Sequence, residues 1–198
     1  MSLPVEAEVR SFLAPYQQPL VELARDAWKA WMDSPYVGRW RCGRSRANFV
    51  WEEIVDRALA FFESNSDVYA FKEQQTYQFL VREQVLFRFK KGDDHGLSAN
   101  YPTQHALDFH DHDVNIFGLP EIQRVEVVYK LNKLETMIDD LLVVARDGDR
   151  VLWAYSLMEG DEGVMPLPIP LSPATPSVGG AGVVRAVVAP TEGAKKVE

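Results

Sequence analysis

The sequence has little cysteine, little histidine and no long apolar run, and each of these shortages excludes a class of protein. Cys42 is the only cysteine among 198 residues, which excludes an internal disulfide framework and a cysteine-rich zinc module. No apolar run approaches the roughly 20 residues that a membrane-spanning helix needs. The first residues also lack the basic start and apolar stretch of a secretory signal, so we expect a cytoplasmic protein without a membrane partner.

Positive charge is also scarce relative to negative charge. The chain has 21 Lys and Arg against 29 Asp and Glu, and the net charge of −8 argues against a general nucleic-acid coat and against docking on an anionic membrane. Hydrophobic residues make up 46% and aromatic residues 11% of the chain, which is enough to bury a sizeable core and excludes global disorder. The length suits one domain with an appendage.

The first third of the chain has the apolar spacing of helices. Pro15 and Pro19 interrupt residues 3–33, because an interior proline removes a backbone donor, and Pro19 can start a new helix. The following helix is predicted to begin at Asn48 as its N-cap. The stripes that the two helices should bury consist of Leu20, Ala24, Trp28 and Trp31, and of Val50, Ile54, Ala58, Phe61 and Phe62.

From residue 68 onward the pattern is typical of strands. Short aromatic or β-branched runs predict strands at residues 68–71, 76–81, 85–90, 125–131, 138–145 and 151–157. In the third run Leu86, Arg88 and Lys90 alternate with apolar residues, which predicts one buried face and one face mostly in water. A short helix is expected within residues 102–109, and Asp139-Asp140 is expected at a bulge or an exposed edge.

These patterns together predict an α+β fold. Residues 1–158 should form a single domain, with helices at 1–64 packed on a mainly antiparallel sheet of about six strands at 67–158. Residues 159–198 are a Pro/Gly-rich tail with six prolines, and such a composition cannot support a core but suits docking on a partner. The tail residues predicted to bind that partner are Met165, Leu167, Ile169, Leu171, Val183, Val184, Val187 and Val188.

Histidine is confined to one part of the chain, since all four histidines lie between His95 and His112. Imidazoles and carboxylates are the ligands that zinc, manganese or iron accept, and the candidate ligands of a divalent metal are His105, His110, His112 and Asp113. No known metal signature is complete around them. The alternative is a solvated polar loop between a short helix and Phe117.

Positive charge is concentrated in a second segment. Four arginines fall within eight residues, close to aromatic side chains, and the candidate contact residues are Arg39, Trp40, Arg41, Arg44 and Arg46. Guanidinium groups bind phosphates or carboxylates and aromatic faces stack on bases, so the segment suits nucleic acid or an acidic partner. The alternative is a solvated loop whose arginines pair with acids such as Glu52, Glu53 and Asp56. Cys42, among these cations, should favour the thiolate.

Several short strings resemble bacterial proteins of mobile-element operons, over about residues 44–157. The strings are Val85-Leu-Phe-Arg-Phe-Lys90-Lys91, Asn100-Tyr-Pro102-Thr103-Gln104, Leu107-Asp108-Phe109, Tyr129-Lys-Leu131-Asn132 and Trp153. In such operons the protein is often encoded beside an ImmA/IrrE-type metallopeptidase-like protein and a helix-turn-helix regulator. The resemblance implies a role in a toxin–antitoxin or phage-defence setting, and it carries no catalytic residues.

No complete catalytic motif accompanies these features: the sequence has no P-loop, no dinucleotide fingerprint and no H-E-x-x-H. We therefore expect a non-catalytic binding or regulatory protein of a toxin–antitoxin-like or phage-defence module, without a cofactor, acting through a protein partner from the same operon or through its own copy. The alternatives are a metal-dependent phosphodiesterase or nuclease at the histidine cluster, and a nucleic-acid-binding regulator at the arginine segment.

Overall fold

The computed structural model describes residues 3–93, 97–98, 104–112 and 122–158, with only the backbone of 104–106. The helices are α1 (Glu6–Leu13), α2 (Gln17–Met32), α3 (Gly43–Phe62) and α4 (Gln104–His110), and a 3-10 turn at Ala14–Tyr16 joins the first two. The strands are β1 (Val68–Glu73), β2 (Thr76–Val81), β3 (Val85–Lys91), β4 (Gln123–Leu131), β5 (Ile138–Asp147) and β6 (Arg150–Ser156). No helix in these ranges is both long enough and apolar enough to span a membrane.

The helices follow the apolar spacing of the sequence, with two differences. Helix α3 begins at Gly43 rather than after Asn48, because Cys42 accepts the first backbone hydrogen bonds from Ser45 and Arg46 and nothing in the following residues breaks a helix. Part of the arginine segment is therefore helical. Phe61, predicted to be buried, is 41% exposed, because its neighbour Phe62 takes the position that faces the core.

The six strands form one sheet in the order β1-β2-β3-β4-β5-β6. Neighbouring strands are antiparallel except β3 and β4, which run parallel because the chain crosses from one to the next through the segment that contains α4. Lys130 pairs with Asp140 and Leu131 with Ile138, so Asp139 is the extra residue of a bulge, as predicted. The α+β fold with a mainly antiparallel sheet of six strands is confirmed.

One face of the sheet packs against α1, α2 and α3 and forms the main core. Three tryptophans attach helices and N-terminal residues to the sheet side through their indole N–H groups. Trp28 donates to the Thr136 carbonyl (2.9 Å), and Trp51 donates to the Phe89 carbonyl (3.2 Å). Trp153 donates to the carbonyl of Pro4 (2.8 Å). These bonds use the polar atom of each large side chain, so that its ring can be buried without an unpaired donor.

The other face of the sheet is also covered, and the prediction of a wet face was wrong. Leu86 is fully buried, Arg88 is 1% exposed, and Lys90 is only partly buried. Leu86 packs with Phe109 of α4, because the crossover between the parallel strands lays this helix over the sheet. The alternation of apolar and charged residues therefore did not indicate a solvent-exposed face here, since Arg88 has a buried partner.

Candidate functional site

A group of charged and polar side chains lies buried on this second face. We call it the buried network; it consists of Arg88 on β3, Glu126 on β4, Arg146 on β5, His110 at the end of α4, and Ser98. Arg88 donates to Glu126 Oε1 from Nε (3.0 Å) and from Nη2 (2.8 Å), and both side chains are 1% exposed. The parallel register of β3 and β4 places these two residues side by side.

The second oxygen of Glu126 is also engaged. The Ser98 hydroxyl donates to Oε2, and Arg146 Nη1 lies 3.9 Å from the same oxygen. Burial by itself raises the pKa of Glu126, but the hydrogen bond from His110 and the charge of Arg88 outweigh it, so that the pKa lies far below its usual range. Glu126 is therefore a carboxylate throughout the physiological range, and its negative charge is shared among the surrounding donors.

The network holds the end of α4 against the sheet. His110 Nε2 lies 3.1 Å from Arg88 Nη2 and 3.4 Å from Glu126 Oε1, and the Arg88 guanidinium lies 3.8 Å from the centre of the Phe109 ring. Arg124 donates to the backbone carbonyls of Asp108 and Asp111, at 2.7 Å each, which caps the carbonyl end of the helix. Most polar groups of the network bind each other or nearby backbone carbonyls, whereas the buried Nε of Arg146 has no hydrogen-bond partner among the described residues.

The two described histidines of the cluster have protein partners. His112 Nε2 donates to the Arg146 carbonyl (2.7 Å), and burial lowers the pKa of His112, so that its neutral form is favoured. Among the described residues, no group of three or more His, Cys, Asp and Glu side chains could hold a metal ion. The side chain of His105 and the whole of Asp113 lie outside the described residues, so the metal site remains a prediction.

The arginine segment forms an exposed surface at the turn between α2 and α3. We call it the arginine–aromatic surface; it consists of Tyr36, Arg39, Trp40, Arg41 and Arg44. Tyr36 and Trp40 stack with their ring centres 4.4 Å apart, and both rings remain exposed on one side. Beneath them, the buried Trp31 contacts Trp40 (5.8 Å) and the partly buried Phe49 contacts both rings of the pair (6.4 Å each).

The arginines of this surface are available for contact. Within the part of the chain that the structure describes, Arg39, Arg41 and Arg44 are exposed and form no ion pair. Arg46 differs, since it forms a salt bridge with Glu135 in the loop between β4 and β5. The sequence has no acidic residue between Asp33 and Glu52, and the expected pairing with Glu53 does not occur, because Glu53 bonds Arg57 one turn further along α3.

The salt bridge of Arg46 places a second exposed segment beside this surface, and the sequence analysis missed it. In the loop between β4 and β5, Leu134 is 81% exposed and Met137 is 55% exposed. The loop is fixed next to α2 and α3 by the Glu135 pair and by the bond from Trp28 to Thr136. The sequence held one indication of this exposed segment: two large apolar residues, Leu134 and Met137, stand between two predicted strands.

Cys42 lies in the same turn, at the start of α3. Hydrogen bonds from the backbone of Ser45 and Arg44 lower the pKa of its exposed thiol, and the charge of Arg44, on which the sequence-based expectation rested, contributes least.

The composition of this region is that of a contact surface. Tryptophan, tyrosine, arginine and methionine are the residues enriched in the centres of protein interfaces, and here they are exposed together on a rigid support.

The predicted contact residues of the tail, from Met165 to Val188, lie outside the described residues. In comparisons with known proteins, no family model, no curated protein and no solved structure matches this chain.

Proposed function

We propose that this chain is a non-catalytic binding protein that acts through a protein partner and contacts it at the arginine–aromatic surface. The observation that carries the proposal is the set of three exposed arginines without ion pairs around the stacked Tyr36 and Trp40 rings. A partner with a few carboxylates around an apolar centre would complement this surface, because each guanidinium can bind a carboxylate through two hydrogen bonds.

The neighbouring loop favours a protein over nucleic acid as this partner. Leu134 and Met137 offer aliphatic surface, which contributes to a protein interface but cannot stack on bases. The net charge of −8 would also repel a polyanion at long range, whereas a folded partner presents only a few negative charges to the arginines. We therefore treat nucleic-acid binding as the competing outcome of the test.

The rigidity of the surface supports the same role. Trp40 packs on Trp31, which is buried in the main core, and Arg44 lies in the first turn of a 20-residue helix. The stacked rings are therefore held before a partner docks and lose little freedom on binding, so that more of their contact energy is retained as affinity.

A non-catalytic role is supported by the buried network. Arg88 and Glu126 are almost fully buried and bond each other, and this accounts for the pair without a substrate. The setting follows from the resemblance over residues 44–157, which implies a toxin–antitoxin-like or phage-defence module. The partner proposed on that ground is the metallopeptidase-like or helix-turn-helix protein of the same operon.

The test is complex formation with these two proteins, co-expressed with the full chain. Replacing Arg39, Arg41 and Arg44 with Ser should weaken the complex at least tenfold, as measured by isothermal titration calorimetry. A control variant with Arg25, Arg82 and Arg150 changed to Ser removes the same charge from other exposed positions, and it should bind as the wild type does.

Nucleic acid is tested in parallel with a labelled single-stranded oligonucleotide, by fluorescence anisotropy at low and physiological salt. Tight, salt-dependent binding that needs these three arginines, together with an unchanged protein complex, would overturn the proposal in favour of a nucleic-acid-binding regulator. Failure of both operon proteins to bind the wild-type chain would also overturn it.

A further inference from the structure

Strand β1 forms one edge of the sheet, and within the described residues no strand lies beside it. Along this edge Tyr69 is 58% exposed, and Ala70 and Lys72 are exposed as well. An exposed edge strand with large side chains is a template for pairing with another strand, and monomeric proteins usually protect it.

A groove runs along this edge, between α3 and β1. It has a volume of about 500 Å³ and is lined by Asp56, Leu59, Ala60, Phe62, Glu63, Val68, Tyr69 and Ala70. Asp56 and Glu63 bring two carboxylates to an otherwise largely apolar groove, and neither forms an ion pair with another described residue. The groove therefore suits an apolar strand that carries a positive charge.

The backbone of β1 is oriented for such pairing. Arg82 N–H donates to the Asp67 carbonyl (2.7 Å), which points this carbonyl toward β2. Because backbone groups alternate along a strand, the peptide groups of Val68, Ala70 and Lys72 point to the open edge. Val68 N–H already bonds the Asn65 carbonyl (3.3 Å), which leaves the Val68 carbonyl and the groups of Ala70 and Lys72 for a partner strand.

We propose that β1 pairs antiparallel with β1 of a second copy of this chain, about a two-fold axis at Ala70. This register brings together residues whose peptide groups point outward: Ala70 faces Ala70 of the second copy, and Val68 faces its Lys72. Tyr69 then lies opposite Phe71 of the second copy, in a position where cross-strand aromatic side chains are close enough to pack.

One charge pair, Lys72 with the carboxylates of the groove, favours a second copy as the occupant, although the same register sets Glu73 opposite Asp67 of that copy. Val68 lines the groove beside Glu63, so the register carries Lys72 of each copy to the acidic groove of the other. The contact is repeated on both sides of the two-fold axis, as an isologous interface requires. This surface is separate in sequence from the arginine–aromatic surface, so the inference does not rest on the proposed function.

The first test is sedimentation velocity of the full chain between about 5 and about 500 µM, the range in which a small interface associates. The wild type should change from monomer to dimer within this range. Lys72→Glu should weaken the dimer at least tenfold, because it places a carboxylate against Glu63 of the other copy. The combined variant Lys72→Glu with Glu63→Lys should restore it.

A wild-type chain that remains monomeric throughout the range overturns the proposal. A dimer that Lys72→Glu leaves unchanged also overturns it, and so does a weakened dimer that the charge swap fails to restore. Ala70→Pro gives an independent variant, because it removes an outward N–H that β2 does not use. It should abolish the dimer while the melting temperature stays close to that of the wild type.

The register is tested by disulfide formation in a Cys42→Ser background. Ala70→Cys should form a covalent dimer under mild oxidation, because the two-fold axis brings both sulfurs within bonding distance. Arg150→Cys, at the opposite edge of the sheet, is the matched control and should form no covalent dimer. Equal cross-linking of the two variants, or none with Ala70→Cys, contradicts the proposed pairing.

Discussion

Glu126→Gln should be among the most destabilising substitutions in this fold that keep the shape of the side chain. The amide replaces the negative charge that Arg88, His110 and Arg146 surround, while it occupies nearly the same volume. The substitution therefore isolates the charge from the packing. It leaves at least one buried guanidinium without its counter-charge.

The size of the effect follows from the burial of the pair. Arg88 and Glu126 are each 1% exposed, and removing one partner of a buried ion pair typically costs about 3–5 kcal/mol. In a domain of this size about 1 kcal/mol shifts the melting temperature by roughly 2–4 °C, so we expect a loss of roughly 6–20 °C. The exposed pair of Asp67 and Arg82 provides the control, and Asp67→Asn should cost about 0–1 kcal/mol.

The assay is urea unfolding at pH 7, followed by circular dichroism, for Glu126→Gln, Arg88→Gln and the double variant. The double variant should lose less free energy of unfolding than the sum of the two single variants, by about 1–3 kcal/mol, because the residues are in direct contact. Additive losses, or a Glu126→Gln loss no larger than that of Asp67→Asn, would refute the view that this charge organises the buried network.

The remaining predictions concern pH, histidine, the tail and Cys42. The pKa of Glu126 in the folded chain lies below its unfolded value of about 4.3, so the stability that its charge contributes is present above pH 4.3 and is lost as the pH falls below that value. Glu126→Gln should therefore flatten the acid limb of the profile of melting temperature against pH. Burial lowers the folded pKa of His112, so stability should also decline as the pH falls below about 6.5, and His112→Gln should remove this part of the slope. His110→Ala should lower the free energy of unfolding by about 1–3 kcal/mol, since Arg88 and Glu126 both lose a buried partner; a neutral result in urea unfolding would contradict the contact. Truncation after Met158 should leave the melting temperature nearly unchanged and weaken partner binding, and collapse of the domain would instead make the tail part of the core. Cys42 should react with iodoacetamide at neutral pH faster than free cysteine, and an ordinary pH–rate profile would contradict the lowered pKa of its thiol.

Much of the fold could be read from local sequence patterns. The strand 76–81 was predicted with its observed bounds, and the bulge at Asp139 was predicted from carboxylates inside an apolar strand. The start of α3 was not, because Asn48 has a good capping side chain, although the backbone at Cys42 already begins the helix. The N-cap that local sequence preference predicts, Asn48, therefore lies more than one helical turn after the observed N-cap, Cys42.

The candidate sites could be predicted only in part. The arginine–aromatic surface was visible because its residues are close in sequence. The buried network was not, since Arg88 and Glu126 are 38 residues apart and meet only through the parallel pairing of β3 and β4. A charged residue in a strand pattern indicates solvent by default, and only the tertiary structure supplies the partner that makes its burial tolerable. For the same reason the sequence did not identify Leu134 and Met137 as contact residues, because only the tertiary structure places their loop beside α2 and α3.

The measurement that tests the central claim most directly is amide hydrogen exchange of the full chain, alone and in complex with the proposed protein partner. The account predicts slower exchange on binding at residues 36–46 and in the loop 132–137, with little change in the strands beneath. Protection confined to α4 or to the β1 edge, with residues 36–46 exchanging as in the free chain, would contradict a partner surface built from Tyr36, Trp40 and the exposed arginines.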